Sequence, residues 1–334
     1  MSDPLRPIRH GGNLREAARR YGIALDDWLD LSTGINPLGY PVPPIPPDAW
    51  RRLPEDADGL AELAATHYGA PLALPVAGSQ AAIRALPWLL KKGTAAIAPL
   101  TYGEYAPAFV RAGHSVVPLD VNADTLPNAV EHVIVANPNN PTAERLPRHV
   151  LLHWHAKLAS RGGTLIVDEA FADVDPAESL ADRSADAGLV VLRSVGKFFG
   201  LAGIRAGFVL AAPDVIAMFT DALGAWTVSG PARHAVRAAF EDRAWQRETR
   251  ERLQRDGARL AALIARHGFD ARATPLFTSF QTLDASGLQH ALATRGIWTR
   301  LFDPAGMTPR LRIGLPGSEG EWARLERAMA EVCA

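Results

Sequence analysis

Between residues 73 and 194 the chain repeats one pattern: a short apolar run, a polar or glycine-rich break, then a longer stretch with apolar residues at three- and four-residue spacing. The runs ALPVAG (73–78), TAAIAP (94–99), SVVPL (115–119), HVIVAN (132–137), TLIVDEA (164–170) and LVVLRS (189–194) predict strands. The stretches SQAAIRALPWLLKK (79–92), GEYAPAFVRAG (103–113) and PRHVLLHWHAKLASRGG (147–163) predict helices, and GLAELAATHYGA (59–70) predicts one more before the first strand. Apolar strands alternating with helices predict an α/β fold, with a mostly parallel central sheet and helices on both faces. After residue 230 an Arg/Ala-rich amphipathic pattern predicts one long helix to about 266, then strands at 276–283, 297–301 and 310–314 and a closing helix at 319–332. That is the pattern of a smaller α+β domain. The first 47 residues are rich in Pro and Gly, with YPVPPIPP at 40–47, and predict an extended arm with a short helix at 13–21. The resulting division is an arm (1–47), a large domain (48–225) and a small C-terminal domain (226–334).

Composition narrows the class of protein. A length of 334 residues suits one large domain and a smaller one. A formal net charge of −1 gives no basic excess for a nucleic-acid partner. No apolar run approaches the roughly 18 residues of a membrane span, and the opening MSDPLRPIRHGGN lacks the apolar core of a secretion signal. The single cysteine, Cys333, excludes an internal disulfide framework and suits a reducing cytoplasm.

In an open α/β sheet, ligands bind beyond the carboxyl ends of the strands. The polar residues there are Gly78-Ser79-Gln80, Thr101-Tyr102, Asn137 to Asn140, Asp168-Glu169 and Arg193-Ser194. They are expected to converge on one crevice, with Lys197 just beyond the last strand. The chain has only four lysines. Lys91 and Lys92 read as a helix end before Gly93, and Lys157 as a solvated helix position. Lys197, in RSVGKFFGLAGIRAGF, sits in an apolar, glycine-rich stretch. Such surroundings lower a lysine's pKa and free its amine as a nucleophile. Gly78-Ser79-Gln80 opens a helix and reads either as an ordinary N-cap or as an anion site. Ser194 and Arg205 suit the same anion, although Arg205 also suits an ion pair with a remote acid. Asp168 closes a buried-type strand, where a carboxylate needs a cap, an ion pair or a protonated ring nitrogen. A lysine amine, an anion cradle and a carboxylate for a ring nitrogen together point to pyridoxal 5′-phosphate. His149 and His153 stand four apart on a predicted helix, but no carboxylate lies between them and no metal is expected. GLAGIRAG does not follow a strand as a dinucleotide loop must, and DVDPAESLAD (173–182) reads as a solvated loop.

The motifs NPNNPT (137–142), VDEAF (167–171) and SVGKFFGLAGIRAG (194–207) closely resemble the aspartate-aminotransferase superfamily of pyridoxal phosphate enzymes, and within it the histidinol-phosphate aminotransferase group. The resemblance covers about residues 30 to 334. It implies that Lys197 is the Schiff-base lysine and that Asp168 pairs with the pyridine nitrogen. It also implies that Asn140 bonds the ring hydroxyl, that Tyr102 stacks on the ring, and that Gly78, Ser79, Gln80, Ser194 and Arg205 hold the phosphate. Arg312 and Arg300 resemble arginines that take the substrate's anionic groups. The opening HGGNLREAARRYG, with LDLSTGINPLG after it, is similar to the threonine-phosphate decarboxylases of cobalamin biosynthesis. That likeness implies that His10, Gly11, Gly12, Asn13 and Asn36 lie over the substrate. It also implies a small phosphorylated amino acid as substrate and a homodimer, because relatives build each site from two subunits.

Four positions depart from that pattern. Phe171 stands where many relatives have a tyrosine bonded to the ring hydroxyl, and Leu53 where they often have a tyrosine reaching the neighbouring subunit's cofactor. Gly196 replaces a common hydroxyl residue, and Ala143 a usual glycine. Three functional readings stand on these residues: a decarboxylase of threonine phosphate, an aminotransferase of the histidinol-phosphate type, and a non-catalytic binding module of the same fold.

Overall fold

Strands that are apolar from end to end need cover on both faces, and that requirement organises the larger part of the chain. The computed structural model describes residues 10–122 and 126–333. Its elements in chain order are α1 (Leu14–Tyr21), β1 (Leu29–Asp30), α2 (Pro47–Arg51), α3 (Leu60–Tyr68), β2 (Leu74–Val76), α4 (Ser79–Leu89), β3 (Thr94–Ile97) and α5 (Tyr105–Arg111). Next come β4 (Ser115–Pro118), β5 (His132–Ala136), α6 (Arg148–Ala159), β6 (Thr164–Asp168), β7 (Leu189–Ser194), β8 (Gly207–Ala211), α7 (Pro213–Leu223) and α8 (Gly230–Glu241). The last are α9 (Arg243–Arg266), β9 (Ala271–Thr274), β10 (Phe277–Gln281), α10 (Ala285–Ala293), β11 (Ile297–Trp298), β12 (Arg300–Phe302), β13 (Arg310–Gly314) and α11 (Glu319–Val332). Contacts divide the described residues into two units: 40–140 with 145–247, and 10–39 with 141–144 and 248–333.

The first unit is built on a seven-stranded sheet in the order β2–β8–β7–β6–β5–β3–β4. Strand β8 runs antiparallel to both its neighbours, and the other pairings are parallel. This is the α/β fold the apolar runs predict. Strands β5, β6 and β8 are buried along their whole length, whereas the edge strand β4 exposes its two ends. One core layer joins Ile134, Ile166 and Leu192 of the sheet to Ile83, Phe109 and Phe219 of α4, α5 and α7. Burying side chains of that size contributes about 1.5–3 kcal/mol each. Strand β8 and helix α7 were not among the elements expected from sequence: GFVLA directly follows the lysine motif and was absorbed into its glycine-rich reading. Helix α4 ends at Leu89, so Lys91 and Lys92 lie beyond its last turn.

Two further expectations are corrected. The long helix predicted from 230 to 266 is two helices, α8 and α9. The break falls at Asp242 (φ −80°, ψ 79°), whose carboxylate accepts from Trp245 N at 2.9 Å and so caps the second helix. The strand predicted at 297–301 divides at Thr299: Ile297 pairs in parallel with Leu29, whereas Arg300 pairs antiparallel with Arg312 in another sheet.

The second unit holds the four-stranded antiparallel sheet β12–β13–β10–β9, with α10 and α11 packed together beside it. Helix α11 opens with a capping box between Ser318 and Glu321. The described part of the segment expected to be an extended arm is folded into this unit as far as residue 39. There Ala17 and Tyr21 of α1 pack with Trp28, Ala293 and Trp298. The contact boundary falls at 247/248 and not at the 225/226 read from sequence because α8 packs on α2 and α3 of the first unit.

Candidate active site

At the carboxyl edge of the parallel strands the first unit has an open pocket of about 630 Å³. Its lining includes Gly78, Ser79, Gln80, Tyr102, Asn140, Asp168, Ser194, Lys197 and Arg205, all nine residues that sequence assigned to a cofactor. Tyr105, Ala136, Ala170 and Phe171 complete it.

One end of the pocket is suited to an anion. Helix α4 begins there, and its N-cap Gly78 (φ 75°, ψ 156°) leaves the first amides without a side-chain cap. Such amides, together with the helix dipole, attract negative charge. A Cβ at position 78 would stand 2.8 Å from Arg205 Nη2, so the guanidinium lies directly against the glycine. Arg205 is held in the left-handed region (φ 54°, ψ 54°), a conformation that costs a non-glycine residue on the order of 1–2 kcal/mol. Its Nη1 donates to Ala202 O at 3.1 Å, and the exposed side chain has no ion pair with an acid among the described residues.

The other end is suited to a cationic ring. Asp168, the last residue of β6, is only 5% exposed. Its Oδ2 accepts from Tyr105 OH at 2.7 Å and its Oδ1 from Ala170 N at 3.0 Å. Burial still pushes its pKa up, against the lowering effect of those two bonds and of the Lys197 charge. A further cation beside the carboxylate would favour its ionised form. Between the two ends, Tyr102 OH donates to Gln80 Oε1 at 2.8 Å. Burial first, then the charges of Glu104 and Asp168, push the Tyr102 phenol up to about 12, so it stays protonated at neutral pH. The Lys197 ammonium lies 5.5 Å from the centroid of the Phe171 ring, at the position where the resemblance implies a tyrosine. Gly196 also has a local reason: a Cβ there would stand 3.1 Å from Ala202 Cα.

Not every strand-end residue joins the pocket. Asn137 bonds the backbone of Leu146 in both directions, at 2.9 and 3.1 Å, and Asn139 bonds Leu100 O and Thr101. Glu169 and Arg193, each next to a pocket residue, form a buried ion triad with Asp173. Tyr105 is the residue that sequence reasoning missed. Its signal was a second tyrosine three positions after Tyr102, on the first turn of α5.

The substrate residues expected from sequence lie in the second unit. Arg300 and Arg312 stand opposite one another on β12 and β13. Arg312 is buried and its Nη2 donates to Ser32 O, and burial with the nearby charge of Arg300 lowers its pKa to about 9. The His10 carbonyl accepts from Arg300 Nη1 at 3.5 Å, and Gly12 N donates to Ser32 Oγ at 2.7 Å. Gly11 permits this approach, because a Cβ would stand 2.4 Å from Ser32 O. Asn13 bonds Glu16 at 2.7 Å, and the buried Asn36 accepts from Arg252 at 2.9 Å, so both carboxamides are engaged locally. Ala143 adopts φ 61°, a conformation that favours the glycine the resemblance implies there. Among the described residues, no group of three or more His, Cys, Asp or Glu is gathered as metal ligands, and no helix is long and apolar enough to cross a membrane.

A strand-end pocket with a lysine amine, a buried carboxylate and a helix-capped anion cradle defines a class of pyridoxal phosphate enzymes. The model of the aminotransferase class I and II family matches residues 53–329, and the chain belongs to that pyridoxal 5′-phosphate-dependent family. It is 48% identical over 325 residues to a threonine-phosphate decarboxylase of Pseudomonas aeruginosa, covering 96% of this chain and 97% of the relative. It is 42% identical over 347 residues to one from a Sinorhizobium species, covering 98% of each. Its fold is also that of histidinol-phosphate aminotransferase from Sinorhizobium meliloti in complex with pyridoxal-5′-phosphate (TM-score 0.81, 18% identity, 100% of this chain and 97% of the other). The donor set fits the cofactor: an uncapped helix start and a guanidinium for a phosphate, and a buried carboxylate, its pKa raised by burial, for a protonated ring nitrogen.

Proposed function

We propose that this chain decarboxylates L-threonine O-3-phosphate to (R)-1-aminopropan-2-yl phosphate, the aminopropanol phosphate of cobalamin nucleotide-loop synthesis. The observation that carries the reading is the 48% identity to a threonine-phosphate decarboxylase across 96% of the chain. Lys197 would hold the cofactor covalently through Nζ, and Asp168 would pair with its ring nitrogen, with Tyr105 keeping the carboxylate oriented. Asn140 would bond the ring hydroxyl and Tyr102 stack on the ring. Ser79, Gln80, Ser194 and Arg205, with the Gly78 turn, would take the phosphate. When bound, the cofactor supplies an electron sink for a carbanion at the substrate α-carbon.

The protein decides which α-carbon bond breaks. Arg300 and Arg312, with the strap from His10 to Asn13 and Asn36, take the substrate's anionic groups and set the rotation about that carbon. A substrate anchored by its phosphate can be held with its carboxylate out of the ring plane, a use of remote binding energy for orientation. The bond from the α-carbon to the carboxylate would break, carbon dioxide would leave, and a proton, which Lys197 Nζ is placed to donate, would take the carboxylate's position on the α-carbon. Three finer points belong to the same proposal. The described part of the arm, which belongs to the second unit as far as residue 39, would lie over the substrate. The protein works in the cytoplasm, which suits its one cysteine. It is a homodimer, supported by the exposure of Trp50, Leu53 and Trp226 (67, 65 and 56%) in the first unit.

The test is a visible spectrum of the purified protein, then incubation with threonine phosphate. Carbon dioxide released without a keto acid supports the proposal, and a required keto-acid acceptor replaces it with the aminotransferase reading. Lys197→Ala is expected to abolish both turnover and borohydride fixation of the chromophore. A variant that keeps the fixed chromophore refutes the role of Lys197.

A further inference from the structure

One face of the second unit's sheet carries four arginines, Arg272, Arg300, Arg310 and Arg312; Arg272 is paired with Glu144, and of the other three only two have been given a role. On β12 and β13, Arg300 stands opposite Arg312 and Phe302 opposite Arg310. Directly opposed residues share a face of a sheet, and so do residues two apart along a strand. Arg300, Arg310 and Arg312 therefore lie on the same face.

Arg310 has the surroundings of a cation awaiting a counterion. It is 8% exposed. Among the described residues its side chain makes one hydrogen bond, Nη1 to Ser279 Oγ at 3.3 Å, and its Nε is buried with no acceptor. Of the acids near enough to act on it, Glu144 is already taken by Arg272 Nη1 at 2.5 Å and Thr142 Oγ1 at 3.0 Å, and Asp270 acts only through space. A guanidinium does not shed its charge by deprotonating, and five donors against one acceptor is poor compensation for burial. A structural role would provide Arg310 with a carboxylate, and none is within ion-pair distance among the described residues.

We propose that Arg310 is a third substrate-anion residue, which with Arg300 and Arg312 selects phosphorylated over unphosphorylated amino acids. The inference rests on the function proposed above for the identity of the substrate. Charge balance supports it: a phosphate monoester carries close to two negative charges at neutral pH and the carboxylate one, against the three arginines that remain once Glu144 has neutralised Arg272. Two arginines alone would suit a dicarboxylate equally well. The guanidinium's planar fork matches the geometry of phosphate oxygens.

The test uses the holoenzyme, so that the cofactor's own phosphate site is filled. Arg310→Met keeps the bulk and removes the charge; Arg310→Lys keeps the charge and loses the fork. For Arg310→Met, KM for threonine phosphate is expected to rise about 10- to 100-fold with kcat changed far less, in line with loss of hydrogen bonds to a charged group. Inhibition by inorganic phosphate is expected to weaken by a similar factor, and the melting temperature to hold or rise. Arg310→Lys is expected to fall between the two. Unchanged KM and unchanged phosphate inhibition in Arg310→Met would overturn the proposal, as would a lowered melting temperature with KM intact. Should the wild-type enzyme not turn over threonine phosphate, the reaction reading fails by itself. Calorimetric binding of inorganic phosphate to wild type and Arg310→Met then decides the anion site: weaker binding in the variant supports it, and equal binding refutes it.

Discussion

Arg193→Met is a demanding test of how the pocket is supported, because the residue does not line the pocket but adjoins Ser194, which does. Arg193 Nη1 lies 2.6 Å from Glu169 Oε2 and Nη2 lies 2.8 Å from Asp173 Oδ1, with side-chain exposures of 2, 1 and 2%. The guanidinium also lies 4.4 Å from the centroid of the buried Tyr68 ring. Glu169 Oε1 accepts from Leu180 N at 2.8 Å, so the triad ties the 179–180 segment to the sheet. The attraction within such a triad is largely offset by the cost of desolvating it, so the intact network adds little net stability. Removing its only cation is different. Two buried carboxylates lose the cation they share, and breaking a buried pair in this way costs about 3–5 kcal/mol. For a unit of this size that corresponds to a fall in melting temperature of roughly 6–20 °C. Urea denaturation and calorimetry of the variant measure it directly. The triple variant Glu169→Gln, Asp173→Asn, Arg193→Met removes the charges together and is expected to recover more than half of the loss. The reasoning is refuted if Arg193→Met stays within about 1 kcal/mol of wild type, or if the triple variant is as unstable as the single one. Because Glu169 adjoins Asp168 and Arg193 adjoins Ser194, a loosened triad is also expected to weaken cofactor binding.

Three other substitutions probe neighbouring steps. Tyr105→Phe removes the 2.7 Å bond to Asp168, a hydrogen bond to a charged group worth about 1.5–3 kcal/mol. That bond lowers the Asp168 pKa, so its loss raises it further, and the acidic limb of cofactor affinity in the apoprotein should move to higher pH; an unmoved limb in a pH series of titrations disproves this. Asp168→Asn should abolish activity yet leave the apoprotein as stable or more stable at neutral pH. The folded-state pKa of Asp168 lies above its ordinary 3.8, so ionisation costs stability once pH rises through that range, and the variant's advantage should vanish in acid. A melting temperature that falls at pH 7 and not at pH 4 would contradict the sign. Ala143→Gly relieves a left-handed alanine (φ 61°) and should stabilise the protein by about 0.5–1 kcal/mol in chemical denaturation, whereas a loss would show that the backbone there is not strained.

Much of the pocket could be read from the chain because parallel strands end in a recognisable way. An apolar run stops, a polar residue follows, and the topology gathers those ends at one edge of the sheet. Asp168, Ser194, Tyr102 and Gly78 were found so. Tyr105 was not, because a tyrosine among apolar residues at helical spacing reads as core, and only the fold brings its hydroxyl to Asp168. The antiparallel β8 was hidden for a related reason: five apolar residues after a functional motif carry no mark of strand direction. The break at Asp242 was hidden because the Arg/Ala-rich pattern continues on both sides of it.

The remaining discrepancies follow from one property of extended backbone. Successive side chains along a strand point to opposite faces, so adjacency to a site residue is evidence against sharing its site. That takes Arg193 away from Ser194 and into the ion triad with Glu169 and Asp173, although sequence placed all the strand-end residues in one crevice. Residues two apart return to the same face. In RLRIG, the arginine that resembled a substrate contact was Arg312, and its neighbour on the same face is Arg310. The alternation that removes Arg193 from the pocket is thus the one that brings Arg310 beside Arg312, and the two charges part ways on their partners. Arg193 has two carboxylates within 2.8 Å, which is what a structural cation requires, while the side chain of Arg310 has one serine hydroxyl among the described residues. The two methionine variants should therefore behave in opposite ways: Arg193→Met should lose stability, and Arg310→Met should lose affinity for phosphate.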